Sequence, residues 1–206
     1  MSAEIVIAYI DGFNLYFGLK EMGWARYYWM NVETLCLNLL SKHQLLAATN
    51  YFTSRIRGNP NREQRQSTFL AALREMGIKP IYGRYRHNPY ECYYTRTRKI
   101  HKIAQEKMTD VAIATQLLID GNTKEYDTAL IISGDIDLIP AVKAFKQHFK
   151  QKKVIMAFPP MRANTDFNGI ADHCWHIVER HCRKSQMPDT ITRSNGSQLT
   201  RPTSWQ

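Results

Sequence analysis

The chain has 206 residues, 44% of them hydrophobic, and its 28 lysines and arginines against 18 acids leave a net charge of +10. That length and apolar content suffice for one α/β domain with a substantial core, and the charge favours a polyanion such as nucleic acid, held through phosphate contacts and counterion release, over a membrane surface. No apolar run approaches the roughly 20 residues that span a bilayer, no basic-then-apolar leader opens the chain, and the four cysteines show no C-x-x-C pairing, so a cytoplasmic protein with reduced thiols is expected.

Ile5 to Ile10 is a short apolar run that stops on Asp11-Gly12-Phe13-Asn14, a strand delivering a carboxylate to its end. Gly12 allows a sharp turn, and Asn14 offers an amide within one turn of Asp11. Residues 14–22 are predicted helical. Asn31 then stands as a cap before apolar residues at 32, 35, 36, 39 and 40, the pattern of an amphipathic helix. Between these helices Trp24, Tyr27, Tyr28 and Trp29 could stack on bases, but anchoring the loop to the core is the favoured reading. Residues 45–56 are predicted as the second strand, and Arg55 and Arg57 at its end are candidate phosphate contacts. A helix over 61–76, stopped by Gly77, and a third strand over 78–85 follow.

Residues 82–107 carry seven lysines and arginines and five tyrosines against Glu91 and Glu106, a composition suited to single-stranded nucleic acid as much as to a solvated excursion. Arg84, Lys99, Lys102 and Lys107 are its candidate substrate contacts. Asp110 opens a helical segment through Ile119, with Thr109 as the expected cap. The run Thr128-Ala-Leu-Ile-Ile-Ser-Gly-Asp135-Ile-Asp137 is a fourth strand without a polar break, as in a strand buried on both faces, ending in two carboxylates. A helix over 138–149 and a fifth strand over 153–158 follow, then a last helix from Asn164 carrying Phe167, Ile170, Cys174, Ile177 and Val178. Residues 186–206, poor in apolar side chains, are expected to be a disordered tail to a domain spanning 1–185. Five strands alternating with helices predict a three-layer α/β/α fold around a mostly parallel five-stranded sheet. Two clusters, His173, Cys174, His176, His181 and Cys182, and His87, Cys92 and His101, lack the spacing of a zinc site.

Tyr9-Ile-Asp11-Gly-Phe-Asn14, Thr109-Asp110-Val-Ala-Ile-Ala and Ser133-Gly-Asp135-Ile-Asp137-Leu resemble, in order and spacing, the NYN domains, PIN-like nucleases related to the LabA group. Lys184-Ser-Gln-Met-Pro-Asp189 resembles the family's closing segment, so the likeness covers roughly residues 4–190. It implies that the first and fourth strands are neighbours, with Asp11 beside Asp135, and that the substrate is RNA.

Four such carboxylates in a partly buried cleft could not all stay ionised without a cation. Carboxylate oxygens suit Mg2+ or Mn2+, as one ion or two. The expected activity is a metal-dependent ribonuclease hydrolysing phosphodiester bonds, with Asp11, Asp110 and Asp135 as principal ligands and Asp137 as a ligand or outer base. Asn14 and Ser133 would orient water or phosphate. A haloacid-dehalogenase-like phosphatase would need an acid where Phe13 stands, and a nucleotide-sugar transferase would be larger. The more serious rival is a non-catalytic RNA-binding or regulatory module that retains the acidic site. The sequence leaves oligomeric state open and admits a homodimer.

Overall fold

The computed structural model describes residues 3–91 and 100–206. β1 (Glu4–Asp11) runs into α1 (Gly12–Glu21) without a loop, because Asp11 caps the helix by accepting from the backbone N–H groups of Phe13 and Asn14. α2 (Val32–Leu39) begins on the expected cap, Asn31, whose side chain accepts from Glu33 and Thr34. β2 (Gln44–Thr53) leads to α3 (Pro60–Glu75), which starts on Asn59 with Pro60 in its first turn. β3 (Ile81–Tyr82) precedes an antiparallel pair, β4 (Arg84–Glu91) and β5 (Ile100–Lys107). α4 (Thr109–Thr123), β6 (Thr128–Ile132), α5 (Ile139–His148) and β7 (Lys153–Phe158) then alternate. The chain closes with β8 (His173–His176), α6 (Glu179–Lys184) and a hairpin of β9 (Thr190–Thr192) and β10 (Gln198–Thr200).

The central sheet has the order β3-β2-β1-β6-β7-β8 and every pairing in it is parallel. Its strands divide their side chains between two cores. Val6, Ala8 and Ile10 of β1 and Leu130 and Ile132 of β6 face a cluster completed by Leu15, Leu35 and Leu70 of α1, α2 and α3. Ile7, Tyr9, Ala129 and Ile131 face the opposite cluster, with Ile113 and Leu117 of α4 and Val142 and Phe145 of α5. Strands buried on both faces read as unbroken apolar runs, which is why β1 and β6 were legible. The expected three-layer α/β/α fold is present, with six strands in the sheet rather than five. Among the described residues no helix is long and apolar enough to cross a membrane.

The sixth strand is β8, where a helix was expected. Phe167, Ile170, Cys174 and Ile177 have helical spacing, but Gly169 takes φ +78 and breaks any helix there. His173 to His176 instead pair with the edge of β7. The third predicted strand is reduced to the two residues of β3.

Residues 186–206 correct the expected disordered tail. Met187, Ile191, Leu199 and Trp205 pack with Trp29 and Ala72, the indole N–H of Trp29 donates to the Pro188 carbonyl at 2.7 Å, and Arg193 pairs with Glu75. A few scattered apolar residues suffice because the surface receiving them is already built by α3 and the loop before α2. Trp205 stacks edge-on against Tyr28 and Phe69. Trp205→Ala should lower stability by about 2 kcal/mol in urea unfolding, below the usual Trp deletion because the hole opens towards solvent. An unchanged midpoint would mean that the segment is not part of the cooperative unit.

Candidate active site

Ile10 of β1 lies beside Ile132 of β6, so Asp11 and Ser133 leave the sheet side by side at its carboxyl edge. In open parallel sheets that edge is where ligands are met. The Ser133 hydroxyl donates to Asp11 Oδ2 at 3.1 Å and accepts the backbone N–H of Asp135 at 3.1 Å, tying the two acids through one buried oxygen. Asn14 Oδ1 accepts from the Gly134 N–H at 3.0 Å, fixing the first turn of α1 to the end of β6. Gly134 is needed for contact: a Cβ there would lie 1.7 Å from the Arg162 carbonyl oxygen. Gly12 has the same kind of role, since a Cβ would meet the Tyr51 ring at 2.5 Å and the Phe52 carbonyl at 2.8 Å. Close packing, rather than the sharp turn expected from the sequence, is the reason for that glycine.

Asp110 arrives from the opposite core layer, in the first turn of α4, where the helix dipole favours a carboxylate. Thr109 is the first residue of the helix and not its cap. The cap position is Met108, at φ 77 in the left-handed region and without a side-chain hydrogen bond to the helix. The Thr109 and Ser54 hydroxyls lie 3.4 Å apart, joining α4 to the end of β2.

The result is that one carboxylate oxygen from each of Asp11, Asp110 and Asp135 lies within 4.8 Å of the others. Burial is the main reason the Asp11 carboxyl is pushed up to about 6, with the charges of Asp110 and Asp135 adding and the bonds from Asn14 and Ser133 opposing. Asp110 is raised as well, by burial first and then by the charges of Asp135 and Asp137. Three hard oxygen donors that cannot comfortably share their negative charge are the donor set a divalent cation such as Mg2+ or Mn2+ satisfies. Asp137 stands outside the trio. It is exposed, its N–H donates to Asp135 Oδ1 at 3.0 Å, and its charge reaches Asp110.

The expected substrate contacts divide. Arg57 is held by Glu63 at 3.5 Å, and Arg55 lies over the Tyr82 ring at 5.0 Å, with a bond to Ser67. Arg84, Lys102 and Lys107 belong to the β4–β5 pair, in which Arg84 is opposite Lys107, and β5 leads within three residues to Asp110. Lys99 and Cys92 lie outside the described residues. Among the described residues the aspartate trio is the grouping able to hold a metal. His173, Cys174 and His176 lie on β8, while His181 and Cys182 lie on α6, where burial pushes the Cys182 thiol up to about 12.

A sequence model of the NYN domain matches residues 6–177. The 6-hydroxy-3-succinoylpyridine 3-monooxygenase of Pseudomonas putida is 27% identical, in an alignment spanning 89% of this chain and 70% of that protein. The crystal structure of a protein of unknown function from Vibrio parahaemolyticus superposes with a TM-score of 0.55 at 16% identity, over 86% of this chain and 94% of that one, a likeness of fold.

Proposed function

The chain belongs to the NYN domain family, and from that premise we propose that it is a metal-dependent ribonuclease hydrolysing RNA phosphodiester bonds. The observation that carries the reading is the trio of aspartate oxygens within 4.8 Å at the carboxyl edge of a parallel sheet. The family's PIN-like nuclease fold and the charge of +10 support it.

Asp11, Asp110 and Asp135 hold Mg2+ or Mn2+ in this reading. A cation bound there acidifies water and offsets the negative charge that builds on the phosphate. The chain's own groups do the rest. Ser133 and Asn14 are positioning residues, the first fixing Asp11 against the Asp135 backbone and the second fixing Gly134. Asp137, exposed beside Asp110, accepts the proton of the attacking water as its oxygen bonds to phosphorus. The bond to the leaving ribose oxygen breaks, and that oxygen is protonated from solvent. Arg84, Lys102 and Lys107, on the strand pair next to Asp110, hold flanking phosphates.

The test is cleavage of end-labelled single-stranded and hairpin RNA by the purified protein with Mg2+, Mn2+ or EDTA. Cleavage with either cation and none in EDTA is expected. Salt-sensitive RNA binding with no cleavage under any condition would overturn the ribonuclease in favour of an RNA-binding module. The oxygenase activity in the name of the Pseudomonas relative belongs to that protein. Oxygen uptake by this chain with a hydroxylated pyridine, and no RNA cleavage, would carry it over.

A further inference from the structure

A cavity of about 130 Å³ opens between α1 and α3. Gly12 and Phe13, which directly follow Asp11 in the chain, are among the residues that line it. Tyr16, Phe69 and Trp205 are among its walls, and Arg62 and Arg65 of α3 lie at its rim. We infer that this cavity is a subsite for one unstacked pyrimidine base of the RNA, with Arg62 and Arg65 on the adjoining phosphate. The inference rests on the ribonuclease reading for its substrate.

Three features point to that occupant. The first is size. An apolar cavity of about 150 Å³ takes one benzene ring, whereas drug-sized ligands fill roughly 300–1,000 Å³. A space of about 130 Å³ therefore fits a single six-membered ring better than a fused purine. The second is chemistry. Aromatic walls offer π faces to a base whatever its sequence context. At the rim, Arg65 is half-buried and Arg62 exposed, and among the described residues neither forms an ion pair, in contrast to Arg57, which Glu63 holds. Two guanidinium groups without carboxylate partners beside an aromatic hollow match an anion attached to a ring. The third is continuity. Phe13 is among the lining residues while its backbone N–H donates to Asp11 at 3.1 Å, so a base seated there would have its phosphate within reach of the trio. The indole of Trp205 completes the wall, which gives the C-terminal segment a part in substrate binding as well as in stability.

The experiment uses the full chain in two arms. In the first, cleavage sites are mapped on a single-stranded RNA containing all four bases. A pyrimidine at a fixed position relative to the cut is expected. Phe69→Leu should raise KM about tenfold, the scale of one base stacking on one ring, with kcat little changed. Arg62→Gln with Arg65→Gln, which keeps a polar side chain at each position, should make the salt dependence of binding shallower by about 0.7 in log–log slope, for the one phosphate the pair holds. In the second arm, an RNA carrying one 4-thiouridine is photo-crosslinked to protein held in EDTA, and the crosslinked peptide is mapped. Crosslinks to the peptide of Phe13 or Phe69 support the subsite even if no cleavage is seen, in which case the ribonuclease reading alone fails. Cleavage without base preference, crosslinks elsewhere or unaltered behaviour of the arginine pair variant would overturn the subsite and leave that reading standing.

Discussion

Asp135→Asn is expected to cut RNA cleavage with Mg2+ by about 100-fold or more while binding RNA as the parent does. A cation at the transferring phosphate contributes several kcal/mol of transition-state stabilisation, and each 1.36 kcal/mol is tenfold in rate. Asp135 supplies one of the three oxygens that would hold it. Its structural duty is slight by comparison: the carboxylate accepts from the Asp137 N–H at the start of a single 3-10 turn, and asparagine is an equally good acceptor in that position. The variant should therefore fold, bind and fail to cut. Rates from end-labelled RNA, with parent and variant purified side by side, check this. Equal cleavage by both would place the activity outside the aspartate trio or in a contaminant.

What was legible in the sequence and what was not follow from the same physical distinction. β1 and β6 carry their burial in consecutive residues, Val6 to Ile10 and Ala129 to Ile132, and each hands its end to an aspartate, so strands and acids were read together. The cap at Asn31 is also local, a side chain meeting N–H groups two and three residues on. β8 was misread because Phe167, Ile170, Cys174 and Ile177 satisfy a helical period that Gly169 interrupts, and only the Asn168-Gly169 pair signalled the break. The C-terminal hairpin depends on Trp29 and Ala72, residues more than a hundred positions away, and no window of sequence holds both sides of that contact. The cavity between α1 and α3 is hidden for the same reason. Phe69 and Tyr16 belong to different helices, and only the fold sets them around a common space. Asp137, for which the spacing left two roles open, ligand or outer base, lies outside the trio because of the 3-10 turn that follows Asp135.

The second large effect concerns Asp11 and has opposite signs with and without metal. In EDTA the folded protein holds this carboxyl at about 6 against an ordinary value of 3.8, because burial and the neighbouring acids oppose its charge. Between those two pH values the folded chain binds a proton that the unfolded chain releases, so stability is fully present below about pH 4 and falls as pH rises through 6. Above that window the ionised Asp11 costs about 3 kcal/mol at 1.36 kcal/mol per pH unit. Asp11→Asn removes the charge and keeps an acceptor for the N–H groups of Phe13 and Asn14. In EDTA at pH 8 the variant should be more stable than the parent by about that amount in urea unfolding, and near pH 4 the two should coincide. Adding Mn2+ at pH 8 should reverse the order. A cation that binds only the folded parent stabilises it by mass action, by about 2.7 kcal/mol at a hundred times its dissociation constant, while the variant lacks a ligand and gains little. A variant less stable than the parent in EDTA at pH 8 would mean that Asp11 is held comfortably as an anion, and the case for a metal-demanding cluster would go with it. The same carboxylate strain that lowers stability without metal is what makes the site select a cation, so stability and metal affinity should trade off across single Asp→Asn variants of the trio.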